Sequence, residues 1–308
     1  MRLWPLGVAS IVAGGALSIA AQSAPPGLQA LVGTWRLVAL ERGAAVQALA
    51  PVPNPAGLLI QDGAGHAIEI VTQTGRPASL NPAEQLATYQ ASWGTVAVDG
   101  GGATATFRIA GDLNPGRKDQ RVVRTVERRG SELVVTDAGG EGRAAARATW
   151  LRIPDLEALP DYQVGVVGFW QWERAGLFNA GGANVREASR DPSVIVYTPT
   201  GHMAVLYLPP PGRKAFAGLV PTVEEARAAL MGSVSYFGTY IVQPKSRAVF
   251  HYQLGAVNPT AVGGSFMRNF EMEGPRVTLL FPPTTLNGEQ VRNTLTLKRL
   301  SGLGEMRE

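Results

Sequence analysis

Cysteine is absent from all 308 residues, which excludes disulfides, thiol chemistry, lipid attachment at a cysteine and thiolate metal sites. Histidine is scarce. Only His66, His202 and His251 occur, and no His/Asp/Glu set has metal-ligand spacing, so neither a metal nor a cofactor is expected. No Gly-x-Ser-x-Gly is present, which removes the hydrolase nucleophile elbow. Gly100-Gly101-Gly102 has no helix after it and reads as a turn rather than a phosphate loop. An excess of one charge is also lacking: 28 Lys+Arg stand against 24 Asp+Glu, a net +4 that becomes +3 without Arg2. With no basic tract, nucleic acid is not an expected partner. Hydrophobic residues make up 45% and charged residues 17%, the balance of a globular chain rather than a disordered one.

Long apolar runs are missing except at the start. Leu3 to Ala21 carries no charge, follows Arg2, and ends in the small residues Ser18-Ile19-Ala20-Ala21 before Gln22-Ser23-Ala24-Pro25-Pro26. That is the pattern of a signal peptide over 1–21 with a cleavage site and linker, and it implies a periplasmic or secreted protein. The run is also about long enough to span a bilayer, but Pro5, Gly7, Gly14 and Gly15 weaken such a helix. No stable membrane span is expected after processing.

The remainder repeats itself. Gly33-Thr34-Trp35 recurs as Gly168-Phe169-Trp170, Gly65-His66 as Gly201-His202, and Trp93-Gly94-Thr95 as Phe237-Gly238-Thr239. Asn114-Pro115 recurs as Asn258-Pro259, Arg124 with Glu127 as Arg268 with Glu271, and Thr149 with Arg152 as Thr296 with Arg299. The order is kept, and the separation grows only in steps, as loop insertions in the second copy would make it. Each copy also carries one helix signal in the same slot. Asn81-Pro82-Ala83-Glu84 and Thr222-Val223-Glu224-Glu225 both read as capping boxes, and Gly232 ends the second helix. Elsewhere β-rich runs alternate with turns, as in Ser193 to Tyr197, the turn Thr198-Pro199-Thr200-Gly201, and His202 to Leu208. The expected layout is barrel 1 over 31–153, a linker over 154–165, barrel 2 over 166–300 and a tail over 301–308. The fold class is all-β: two antiparallel up-and-down barrels, each with one short helix, closed because closure removes sheet edges.

Gly33-x-Trp35 and Gly168-x-Trp170 on first strands, with Gly201-His202-Met203-Ala204-Val205, Tyr236-Phe237-Gly238-Thr239-Tyr240, His251 and Arg268, resemble the lipocalin-like domain family. Phe107 stands where His251 stands in the second copy, so the first copy carries the likeness more weakly. The resemblance implies a calycin-type barrel and binding of a small apolar or amphipathic molecule. It also implies that Arg152 and Arg299 stack on Trp35 and Trp170 to close the barrels.

Strand alternation puts His202, Ala204, Leu206 and Leu208 on one face, with Met203, Val205 and Tyr207 on the other. Should His202, Tyr240, His251 and Arg268 all point inward, the second barrel would hold a polar cluster able to orient an amphipathic ligand. Such a cluster could equally transfer a proton, as in a cofactor-free cyclase or isomerase. The two histidines can also serve only turn and rim backbone groups. A third possibility is a protein-interaction module with packed barrels. With Phe107 for His251 and Ala97 or Val98 near the place of Tyr240, the first barrel reads as a packed or apolar companion.

Overall fold

The computed structural model describes residues 27–140, 143–188 and 191–307; the leader expected over 1–21 lies outside them. The first barrel comprises β1 (Gly33–Gly43), β2 (Ala50–Pro51), β3 (Pro55–Gln61), β4 (His66–Gln73), β5 (Gln90–Val98), β6 (Thr104–Asp112), β7 (Arg121–Arg129), β8 (Glu132–Asp137) and β9 (Ala145–Ile153). The second comprises β10 (Gly168–Asn179), β11 (Asn184–Ala188), β12 (Val194–Tyr197), β13 (His202–Tyr207), β14 (Val234–Gln243), β15 (Ala248–Ala256), β16 (Ser265–Glu273), β17 (Arg276–Leu286) and β18 (Glu289–Arg299). Each sheet is an antiparallel meander in which the first strand also pairs with the last, β1 with β9 and β10 with β18. Eight strands therefore close each barrel, while β2 and β11 lie beside the first strand as short additions.

Both capping boxes form. Asn81 and Glu84 open α1 (Pro82–Thr88), and Thr222 and Glu225 open α3 (Val223–Leu230). A further turn of helix, α2 (Asp161–Val164), lies between the barrels. No helix among the described residues is long and apolar enough to cross a membrane.

The Gly-x-Trp motifs close the barrel floors. Trp35 and Trp170 are fully buried, and their indole N–H groups donate to the carbonyls of Leu31 (3.0 Å) and Val166 (2.7 Å). Arg152 and Arg299 pair with them across the closing seam and lie over their rings at 5.4 and 4.4 Å. These are cation–π lids on the floors. Gly33 and Gly168 have φ of +139° and +135°. A Cβ at Gly168 would stand 2.0 Å from the Ser301 carbonyl oxygen, so the motif's glycine is a steric requirement as well as a conformational one.

The barrels do not hang apart on a linker. Leu58, Ile60, Ile68, Ile70 and Trp93 on the outer face of β3–β5 pack against Val194, Val196, Ala204, Leu206 and Phe237 on the outer face of β12–β14. Matched faces meet, as in a two-fold symmetric dimer. Arg76 of the first half donates to the carbonyls of Ala256 (2.8 Å) and Val257 (3.1 Å). Arg213 of the second half donates to those of Asp112 (3.0 Å) and Leu113 (3.1 Å), the corresponding positions. Tyr89 and Ser235 share a hydrogen bond of 2.9 Å across the same layer, and α1 packs on α3.

Candidate functional site

Inside the second barrel, β14 presents Tyr236 and Tyr240 to the lumen, and β15 sets His251 opposite Tyr240. His251 is buried and has both ring nitrogens engaged: Nε2 with the Tyr197 hydroxyl at 2.9 Å and Nδ1 with the Tyr236 hydroxyl at 2.8 Å. A neutral imidazole has one N–H, so one tyrosine accepts from it while the other donates to the bare nitrogen. Burial pushes the imidazole down to about 3, with the Arg268 charge adding to the effect. Burial also raises both tyrosines. This relay is a neutral, satisfied polar wall. As a base His251 is poorly placed, since neither nitrogen is open to a substrate.

Beyond the relay opens a cavity of about 220 Å³. Trp172, Tyr207, Tyr236, Phe266 and Phe281 give it aromatic walls, and Arg268 stands among them. The guanidinium lies over Phe266 at 4.4 Å and Phe281 at 4.5 Å, and its Nη1 donates to the Met267 carbonyl. A cation held between two rings is attracted by both faces.

The structure thus brings His251 and Arg268 to one cavity, but not the other two residues read from the sequence. Tyr240 is buried against Tyr197, ring centroids 4.9 Å apart, and donates to the Thr198 carbonyl, so it fixes the β12–β13 turn. His202 faces the other way. Its face-mates Ala204, Leu206 and Leu208 belong to the layer between the barrels, while Met203 and Val205 enter the lumen. Its Nδ1 meets Thr200 Oγ1 at 3.0 Å and the Thr200 carbonyl at 3.1 Å, a turn-holding role. Alternation separates two faces without saying which one is inside.

The His251 relay carries a pH signature. The unfolded chain takes a proton at His251 near pH 6.5, whereas the folded chain resists until about 3. Its contribution to stability is therefore complete above about 6.5 and is lost as pH falls toward 3, because the unfolded state binds more protons across that window. Replacing His251 with Phe is expected to flatten the slope of stability against pH there, at the cost of two unpartnered tyrosine hydroxyls. Urea titrations at several pH values read both effects, and an unchanged slope would mean the ring is not held neutral.

The first barrel departs from the companion reading. Across from Phe107 stands Val96, in the register that Tyr240 holds with His251. Below lies a cavity of about 40 Å³ lined by Leu31, Leu59, Phe107 and Leu133. The mouth holds a cavity of about 410 Å³, among whose lining residues are Arg42, Arg117, Arg124 and Arg143 with Glu69, Asp112 and Asp137. Arg124, the counterpart of Arg268, binds Glu69 and lies 3.7 Å from Asp137, which also holds Arg143 at 3.4 Å. Glu69 pairs with Leu59 and Ser92 as Val205 pairs with Ile195 and Tyr236, so a carboxylate here replaces a valine there. These charges come from separate strands and loops and share no motif, so their spacing in the sequence carries no signal.

A family model described as a lipocalin-like domain matches residues 167–300. No curated protein matches the chain. Among solved structures, an uncharacterized protein from Saccharomyces cerevisiae aligns over 87% of this chain and 98% of its own, at 12% identity and a TM-score of 0.43. A protein of unknown function from the DUF3598 family of Nostoc punctiforme aligns over 89% of this chain and 98% of its own, at 9% identity and a TM-score of 0.22. At these TM-scores neither likeness carries weight for fold or function.

Proposed function

From two tandem lipocalin-like barrels in one chain, we propose a small-molecule binder whose second barrel holds a compact apolar or amphipathic guest. A lipocalin-like barrel supports a binding protein in general terms; fold alone does not choose the ligand. The observation that supports the finer reading is the aromatic cavity of about 220 Å³ with Arg268 in its wall. A guest's apolar body fits against Trp172, Phe266 and Phe281, and a polar end meets the guanidinium. The Tyr197–His251–Tyr236 relay fixes the shape of the inner wall.

Fluorescence titration of the full-length protein with the uncharged probe N-phenyl-1-naphthylamine tests this. Saturable binding is expected, and Asn293→Trp, an exposed change that plugs the mouth, should abolish it. Absence of saturable binding, or binding indifferent to the plug, would remove the second barrel from consideration.

The leader over 1–21 adds that this binder is exported to the periplasm or secreted. N-terminal sequencing of the exported protein should start near Ala21 or Gln22, and a start at Met1 would overturn it.

A further inference from the structure

We propose that the mouth of the first barrel is a second binding site, for a small organic anion with an apolar tail, closed by a strap from the second barrel. It does not depend on the second-barrel reading. The cavity is the larger of the two, at about 410 Å³ against about 220 Å³.

Four guanidiniums line it against three carboxylates. The three carboxylates are already committed: Glu69 to Arg124, Asp137 to Arg124 and Arg143, and Asp112 to Arg117 at 3.4 Å. Arg42 is left over. Its Nη2 donates to Gln90 Oε1 at 2.9 Å, and among the described residues no carboxylate lies within ion-pair distance of it. Burial lowers its pKa and the Arg117 charge lowers it further, against the pull of Glu69, so a cation sits here short of a counterion.

The other charges of the mouth are tied to one another. Asp112 Oδ2, Arg124 Nε and Arg143 Nε are held only by ion pairs of 3.4 to 3.7 Å, and Arg117 Nε is buried without a hydrogen-bond partner. Asp112 is buried and Arg124 is half-buried. A guanidinium with no carboxylate within ion-pair distance, on the wall of a cavity, suits an anionic occupant. Guanidiniums present planar N–H pairs that fit a carboxylate, sulfonate or phosphate.

The rest of the lining includes apolar residues that suit a tail. Leu40, Val71 and Leu86 come from the first half, while Phe216, Leu219 and Val220 come from the segment between β13 and α3 of the second. That strap is tied at one end by Arg213, which also lies 3.6 Å from Asp191, and at the other by Ala217 N–H donating to Glu225 Oε1 at 2.9 Å. Leu219 and Val220 are 67% and 74% exposed, although they edge the cavity. A tail beneath them would cover part of that surface.

The test uses full-length protein and two related probes, the anionic 1-anilinonaphthalene-8-sulfonate and the uncharged N-phenyl-1-naphthylamine. Sulfonate binding should weaken about tenfold or more in Arg42→Gln, as expected for loss of a charge-assisted contact. Arg42→Lys should restore part of it, added salt should weaken it, and the uncharged probe should be unaffected. Leu219→Asp, at an exposed position that folding does not need, should weaken the sulfonate by repulsion and covers the case where Arg42→Gln fails to fold. Sulfonate affinity that is unchanged in both variants would overturn the proposal. So would sulfonate binding lost only on Asn293→Trp, which would assign the probe to the second barrel and leave that reading standing.

Discussion

Trp170→Ala is expected to destabilise the protein by about 3–5 kcal/mol, the range for removing a buried large aromatic. Trp170 is fully buried at the second floor, donates to the Val166 carbonyl and carries the Arg299 guanidinium over its ring at 4.4 Å. Alanine leaves a void, an unmet carbonyl and an arginine without its platform. Shape, hydrogen bond and cation–π contact all act at one position, so the loss is hard to relax away. Urea unfolding of the full-length chain measures it. A loss below about 1 kcal/mol would mean that the floor re-forms without the tryptophan and that Gly-x-Trp is not the closing device.

The second large effect is expected at Leu206→Asp. Leu206 is fully buried in the layer shared by both barrels, packed among apolar residues from each half. A carboxylate there has no partner, and burying it should cost more than about 4 kcal/mol. Because the layer belongs to both halves, the loss should reach both. Hydrogen exchange read in β6 and β16 should show protection falling together. Protection that fell in β16 alone would mean the first barrel stands without the second. For the same reason, either half expressed alone would expose an apolar face, and functional assays belong on the whole chain.

The fold was legible because its determinants are local or repeat in order. Asn81 with Glu84 and Thr222 with Glu225 are capping boxes that need only neighbours three residues away. Trp35 with Arg152 and Trp170 with Arg299 recur at matched places, and the closing registers pair them. The shared layer leaves a mark in the sequence. Val194 to Tyr197 is buried at every position, and a strand apolar on both faces must have neighbours on both. The site was half legible. His251 and Arg268 lie on adjacent strands and meet, but His202 depends on which face is inward, and that is set by the other barrel. The charged mouth of the first barrel was not legible at all. Arg42, Glu69, Arg124 and Asp137 are brought together by four strands, and the strap that covers them comes from the other half of the chain.

One covalent chain holding what two identical subunits would otherwise form has a thermodynamic consequence. A dimer dissociates on dilution, so its midpoint of unfolding follows concentration by mass action. Here the tether makes the association of halves intramolecular, and the midpoint should not move with protein concentration. The tether also fixes a one-to-one stoichiometry of two different halves. In a homodimer every substitution appears twice, whereas here each barrel's sequence is set separately. Matched arginines show the outcome: Arg268 lies between two phenylalanines, while Arg124 lies between two carboxylates.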